Sequence, residues 1–119
     1  MDPTLTVLLE IQDLRAKARE LEAGADLDAL ERTHFRLDPA EAASVLHTKV
    51  SELAVGLPEP VGGRYRRIAD HLDRVVVPVV DGTCYGCFVS VATATAGETD
   101  PNATLQTCEH CGRFLYFTP

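Results

Sequence analysis

The sequence predicts an α+β fold: an N-terminal antiparallel helical hairpin with a short connector helix, then a small C-terminal β ribbon. Three observations predict it. Apolar residues recur at helical spacing through the first 74 positions, where two Asp-Pro pairs supply helix starts. From Val75 onward the period turns strand-like and β-branched residues dominate. The only four cysteines of the 119-residue chain lie in this second part, as C-x2-C-x20-C-x2-C. Residues 1–74 therefore form the hairpin and connector, and residues 75–119 the ribbon.

The first helix has Asp2 as its cap and Pro3 at its first position, where a missing N–H does no harm. Val7, Ile11, Leu14, Ala18 and Leu21 follow on one seam, widened by Leu8, with most charged side chains off it and Gly24 as a stop. Five seam positions suit a hairpin rather than an extended coiled coil. Ala25 to Leu37 is ambiguous, with Leu27, Leu30, Phe35 and Leu37 as apolar anchors. The second helix starts at Asp38 as N-cap, with Pro39 first in the helix and Glu41 placed to reach back. It runs through Val45, Leu46, Val50, Leu53 and Ala54 and ends near Gly56 to Pro60, antiparallel to the first. After Gly62-Gly63, Tyr65, Ile68, Ala69 and Leu72 mark the connector helix.

The ribbon opens with Val75-Val76-Val77, which Pro78 demotes to an edge strand because proline cannot donate to a ladder. Asp81-Gly82 is a turn leading into Cys84. Phe88 to Thr95 alternates as a strand, Gly97 to Asn102 is a loop, and Arg113 to Phe117 closes the ribbon.

Two C-x-x-C turns joined by a long spacer can set four thiolates on one tetrahedral metal, so Cys84, Cys87, Cys108 and Cys111 are the candidate ligands. A ribbon this small cannot stand on an apolar core alone and needs a metal or disulfides. All four ligands would come from protein, leaving no open position for water or substrate, which points to structural Zn2+ rather than catalytic zinc. Iron in the same sulfur set, a disulfide pairing, a redox C-x-x-C and a ligand role for His110 remain as alternatives to it.

Eighteen acidic against 11 basic residues give a net charge of −7, a surface that repels phosphate backbones and suits docking on basic protein. No apolar stretch approaches the ~20 residues that span a bilayer. Met1-Asp2-Pro3-Thr4 does not resemble an export signal, so a cytoplasmic location without membrane partners is expected. Arg64, Arg66, Arg67 and Arg74, with His71, form the densest basic cluster, read first as a solvated face beside Asp70 and Asp73 and second as a contact for phosphate or an acidic partner. His34 and His47 sit in no catalytic arrangement, and no phosphate loop or nucleophile elbow is present, so an enzyme is not expected.

Several stretches carry a family resemblance. Leu8-Leu9-Glu10-Ile11-Gln12-Asp13-Leu14, Leu57-Pro58, Tyr65-Arg66-Arg67-Ile68, Cys84-Tyr85-Gly86-Cys87 and Cys108-Glu109-His110-Cys111-Gly112-Arg113-Phe114-Leu115-Tyr116 together resemble the bacterial four-cysteine zinc ribbon family with an N-terminal helical hairpin. Two features depart from it: the hairpin is much shorter, and Phe88-Val89-Ser90 stands where the family often has a histidine and prolines. More loosely, Asp38-Pro39-Ala40-Glu41 and Asp81-Gly82-Thr83-Cys84-Tyr85-Gly86 look like the hairpin tip and finger entry of DnaK-suppressor-type factors, which enter the RNA polymerase secondary channel. The bland reading of the first run, a capped helix start, competes with this.

The resemblance implies a nucleic-acid-binding or transcription-associated protein. The expected function is a non-enzymatic, zinc-stabilised adaptor acting on the transcription machinery through protein contacts, RNA polymerase being the partner considered, with Asp38 and Glu41 at the contact. The alternative is a nucleic-acid-binding ribbon using Arg64, Arg66, Arg67 and Arg113. A second copy of the chain, in a homodimer, is a further candidate partner.

Overall fold

A computed structural model describes residues 1–24, 38–91 and 100–118. The helices are α1 (Pro3–Gly24), α2 (Pro39–Val55) and α3 (Val61–Ala69). The strands are β1 (Val76–Val80), β2 (Thr83–Cys84), β3 (Gln106–Thr107) and β4 (Phe114–Phe117), with one 3-10 turn at Pro101–Ala103. Helices precede strands, as the sequence predicts. The ambiguous stretch 25–37 lies outside the described residues, as does the second half, 92–95, of the strand expected over Phe88–Thr95. Its first half is not a strand, because Phe88 takes a left-handed conformation and Ser90 makes only a single bridge, to Thr83.

Both Asp-Pro starts cap as expected. The Asp2 carboxylate accepts from the N–H groups of Thr4 (2.8 Å) and Leu5 (3.3 Å), and that of Asp38 from Ala40 (3.0 Å). The buried line of α1 differs from the expected seam. Leu5, Leu8, Ile11 and Ala18 are buried, whereas Val7, Leu14 and Leu21 are only half-buried. The reason is that α1 packs against α2 and also against β1, so its buried face turns toward Leu8, between the two. Ala43 is the buried residue of α2, while Val50, Leu53 and Ala54 pack against the same core.

The sheet order is β2-β1-β4-β3, with β1 and β4 parallel and both outer pairs antiparallel. The two faces of the sheet alternate with the pleat. Val76 and Phe114 pack with Leu5, Leu8, Ile11, Leu57 and Tyr65, so one core spans the helices and the sheet. Val77, Val79, Leu115 and Phe117 pack on the other side, around Cys84 and Cys108.

Pro78 is not on an edge strand: β1 is interior. The carbonyls of Val75 and Val79 accept from β4-side amides, Phe114 (3.0 Å) and Thr118 (3.1 Å). Alternate residues thus turn their backbone groups to the opposite side, where the Pro78 carbonyl accepts from Tyr85 (3.0 Å). The N–H that proline lacks would point toward β2, which is only two residues long, so one ladder bond is lost at its end.

Two side-chain amides tie the ribbon to the helices. Gln12 Oε1 accepts from the N–H groups of Val75 and Val76, both at 2.8 Å, and Gln12 Nε2 donates to the Val76 carbonyl at 3.0 Å. A side chain of α1 therefore continues the ladder where β1 begins. Asn102 treats β4 likewise: its Nδ2 donates to the Phe117 carbonyl (2.7 Å) and its Oδ1 accepts from the Phe117 N–H (2.8 Å). The Asn102 carbonyl in turn accepts from the Asp2 N–H (2.7 Å), fixing the start of α1.

Candidate metal centre

The two C-x-x-C turns have the same backbone design. The amide after each second cysteine donates to the carbonyl of the first: Phe88 to Cys84 (2.7 Å) and Gly112 to Cys108 (2.9 Å). One residue further on, the carbonyls of Val89 and Arg113 accept from the amides of Cys84 (3.0 Å) and Cys108 (2.9 Å). This geometry drives the residue after the second cysteine into the left-handed region. Gly112, at φ 77°, takes it without strain, but the first turn places Phe88 there at φ 61°. For a bulky L-residue that conformation costs about 1–2 kcal/mol. Phe88 is also 71% exposed, so burial does not offset the strain.

The two turns bring all four sulfur atoms within 4.8 Å of one another. Cys84 Sγ lies 3.8 Å from Cys111 Sγ, and Cys87 Sγ 3.7 Å from Cys108 Sγ. Metal–sulfur bonds of about 2.3 Å in a tetrahedron require a sulfur–sulfur edge of about 3.8 Å, so the cluster has the size of a four-thiolate site. A disulfide would need about 2.0 Å. Cys84 and Cys108 are buried, and Cys87 and Cys111 half-buried.

The electrostatics of the cluster call for a cation. Burial, and then the Cys108 and Cys84 sulfurs, push the Cys111 thiol up to about 12, against the Arg113 N–H that favours its thiolate. Burial raises Cys87 as well. Burial also acts on Cys108, but the Cys111 and His110 N–H groups and the neighbouring thiols overcome it and bring that group down to about 7. The surroundings thus favour the thiolate at Cys108 and oppose it at Cys87 and Cys111. A dication is what allows the rest to ionise, with proton release on binding.

Ionisation of the thiols is coupled to binding, so zinc affinity is expected to fall as the pH drops, and competition with a chelator across pH 6–8 measures it.

The fold has relatives among solved structures. The chain superimposes on the HP0958 protein from Helicobacter pylori with a TM-score of 0.59 at 22% identity, covering 81% of this chain and 40% of that one. It superimposes on CT398 from Chlamydia trachomatis with a TM-score of 0.52 at 22% identity, covering 84% of this chain and 44% of that one. The likeness is one of fold, and the chain spans less than half the length of either. No family model and no curated protein matches the sequence.

The other residues singled out from sequence are scattered. Asp38 and Glu41 lie exposed at the start of α2, Asp38 acting as its cap. Arg64 reaches the centre, where its Nη1 donates to the carbonyl of Gly112, beside Cys111, at 3.1 Å. Arg66 pairs with Glu59 at 3.0 Å, holding that carboxyl below its usual range together with the Gly63 N–H. Arg67 stays exposed. Arg113 lies over the first turn: its Nη1 is 3.3 Å from where a Cβ on Gly86 would sit, and its Nε is enclosed without a hydrogen-bond partner. A Cβ on Gly86 would also meet Val77 at 3.0 Å, so that turn needs glycine to seat against β1. Sequence reasoning missed Gln12, Asn102 and Phe88. For Phe88 a signal existed, since the equivalent place in the second turn is Gly112.

Proposed function

We propose that this chain is a non-enzymatic zinc-binding adaptor or transcription-associated regulator that acts through protein contacts, with RNA polymerase as the partner to test first. The observation that carries this reading is the four-sulfur cluster sized for one tetrahedral metal. Such a ligand set supplies no open position for substrate, so its chemistry is to hold a shape. Cys84, Cys87, Cys108 and Cys111 would hold Zn2+, and the clamp joins the first turn to the second, which Arg64 ties to α3. Reduced thiols suit a cytoplasmic setting. Among the described residues no helix is long and apolar enough to cross a membrane.

The net charge of −7 favours a basic protein surface over a phosphate backbone. The nucleic-acid alternative relied on Arg64, Arg66, Arg67 and Arg113. Arg64 and Arg66 have partners within the fold and Arg113 is partly enclosed, which leaves Arg67 as the least encumbered of the four.

The test is binding of the zinc-loaded chain to purified RNA polymerase at physiological salt. Saturable binding that weakens on Glu41→Lys is expected. No binding would remove the polymerase partner. Affinity for oligonucleotides that falls steeply with salt would favour the alternative instead.

A further inference from the structure

We propose that the first cysteine turn and the groove beside it form a docking site for an extended protein segment carrying arginine or lysine, a site that rests on the protein-contact function proposed above. Tyr85 (49% exposed), Phe88 (71%) and Val89 (41%) make an apolar patch within five residues. The Tyr85 and Phe88 rings stand 5.5 Å apart at 44°, leaving ring surface open to solvent. The backbone at Phe88 is where the matching turn uses glycine, and Phe88 stands there in a strained conformation without being buried. A side chain held in a conformation that opposes folding, and contributing little to the core, is best explained by a contact outside the chain.

The occupant follows from shape and charge. A groove of about 330 Å³ runs from Val89 and Val91 to Thr107, Glu109 and His110, between the two cysteine turns. Thr107 and Cys108 at the end of β3 form its far wall, and among the described residues β3 is the last strand of the sheet, so an extended backbone could lie along it. Glu109 lines it, and Asp81 stands next to Gly82, whose carbonyl accepts from the Val91 N–H at 2.8 Å. Both acids are exposed, and among the described residues neither forms an ion pair. Exposed rings on the first turn, with one carboxylate lining the adjoining groove and another one residue from Gly82, suit a segment whose guanidinium or ammonium groups can meet ring and carboxylate in turn.

The test titrates the 15N-labelled, zinc-loaded chain with a short peptide alternating arginine and valine, with the same peptide bearing glutamate for arginine, and with a single-stranded uridine oligomer. The arginine peptide is expected to shift the amides of residues 85–91 and 107–110. Phe88→Gly should weaken it about tenfold while the melting temperature stays level or rises, and Phe88→Asn should do the same. Glu109→Gln should weaken it about twofold, less so at high salt. No binding of the arginine peptide, undiminished binding by Phe88→Gly, shifts elsewhere, or preference for the acidic peptide or the oligomer would overturn the site. RNA polymerase binding by a chain that does not bind the arginine peptide would overturn the site and leave the adaptor function standing. An arginine peptide seated here on a chain that does not bind polymerase would keep the site and remove the polymerase partner.

Discussion

Cys108→Ser is expected to abolish tight metal binding and unfold residues 75–119 while helix persists in the N-terminal half. Structural zinc in small modules contributes about 10–16 kcal/mol of apparent binding energy that is also folding energy. That is as large as the 5–15 kcal/mol, roughly, that separates folded from unfolded states in whole domains. The apolar cluster of this side consists of Val77, Val79, Leu115 and Phe117 around Cys84 and Cys108, so removing a ligand opens the centre of it. The loss should also reach the helices. Val75, Val76 and Phe114 are buried in the core that holds Leu5, Leu8 and Ile11, and their withdrawal bares those faces. Far-ultraviolet circular dichroism should therefore retain helix, while β1 and β4 amides lose hydrogen-exchange protection. A metal-free variant whose β4 amides stay protected would contradict the clamp.

Gln12→Leu is expected to destabilise the chain by about 2–4 kcal/mol with metal content unchanged. Leucine is close in size, so packing on α1 is kept. What disappears is the acceptor shared by the Val75 and Val76 amides and the donor to the Val76 carbonyl. Three backbone groups at the start of an interior strand then lack partners, and each unsatisfied buried group costs about 1–3 kcal/mol less whatever water recovers. Gln12→Glu should be milder, since a carboxylate still accepts from both amides. Denaturant unfolding of the three zinc-loaded proteins measures the difference. A Gln12→Leu protein within about 0.5 kcal/mol of wild type, the range of ordinary surface substitutions, would show that this link carries no stability.

What was legible in the sequence was local. The two aspartate caps act over two or three residues, and their chemistry is complete within that span. The cysteine spacing is equally self-contained, because each turn needs only four residues to aim two sulfurs. The contacts that join hairpin to ribbon were hidden for the opposite reason. Gln12 meets Val75 and Val76 across more than 60 positions, and nothing in an amide on a charged helix face announces a strand edge as its partner. Arg64 looked like part of a basic surface cluster, yet it bonds Gly112, 48 positions away. Pro78 misled because edge placement is only one way for a strand to tolerate proline. A two-residue neighbour on the affected side serves as well. The seam on α1 shifted because helical periodicity reports that a face is buried but not that two partners share it.

The most direct measurement is X-ray absorption at the zinc edge together with metal analysis of the purified, reduced protein. One zinc per chain, bound by four sulfurs at about 2.3 Å and no oxygen, is the predicted result. A protein that carries no metal, or one whose zinc keeps an oxygen ligand in place of a cysteine, would contradict a closed structural centre.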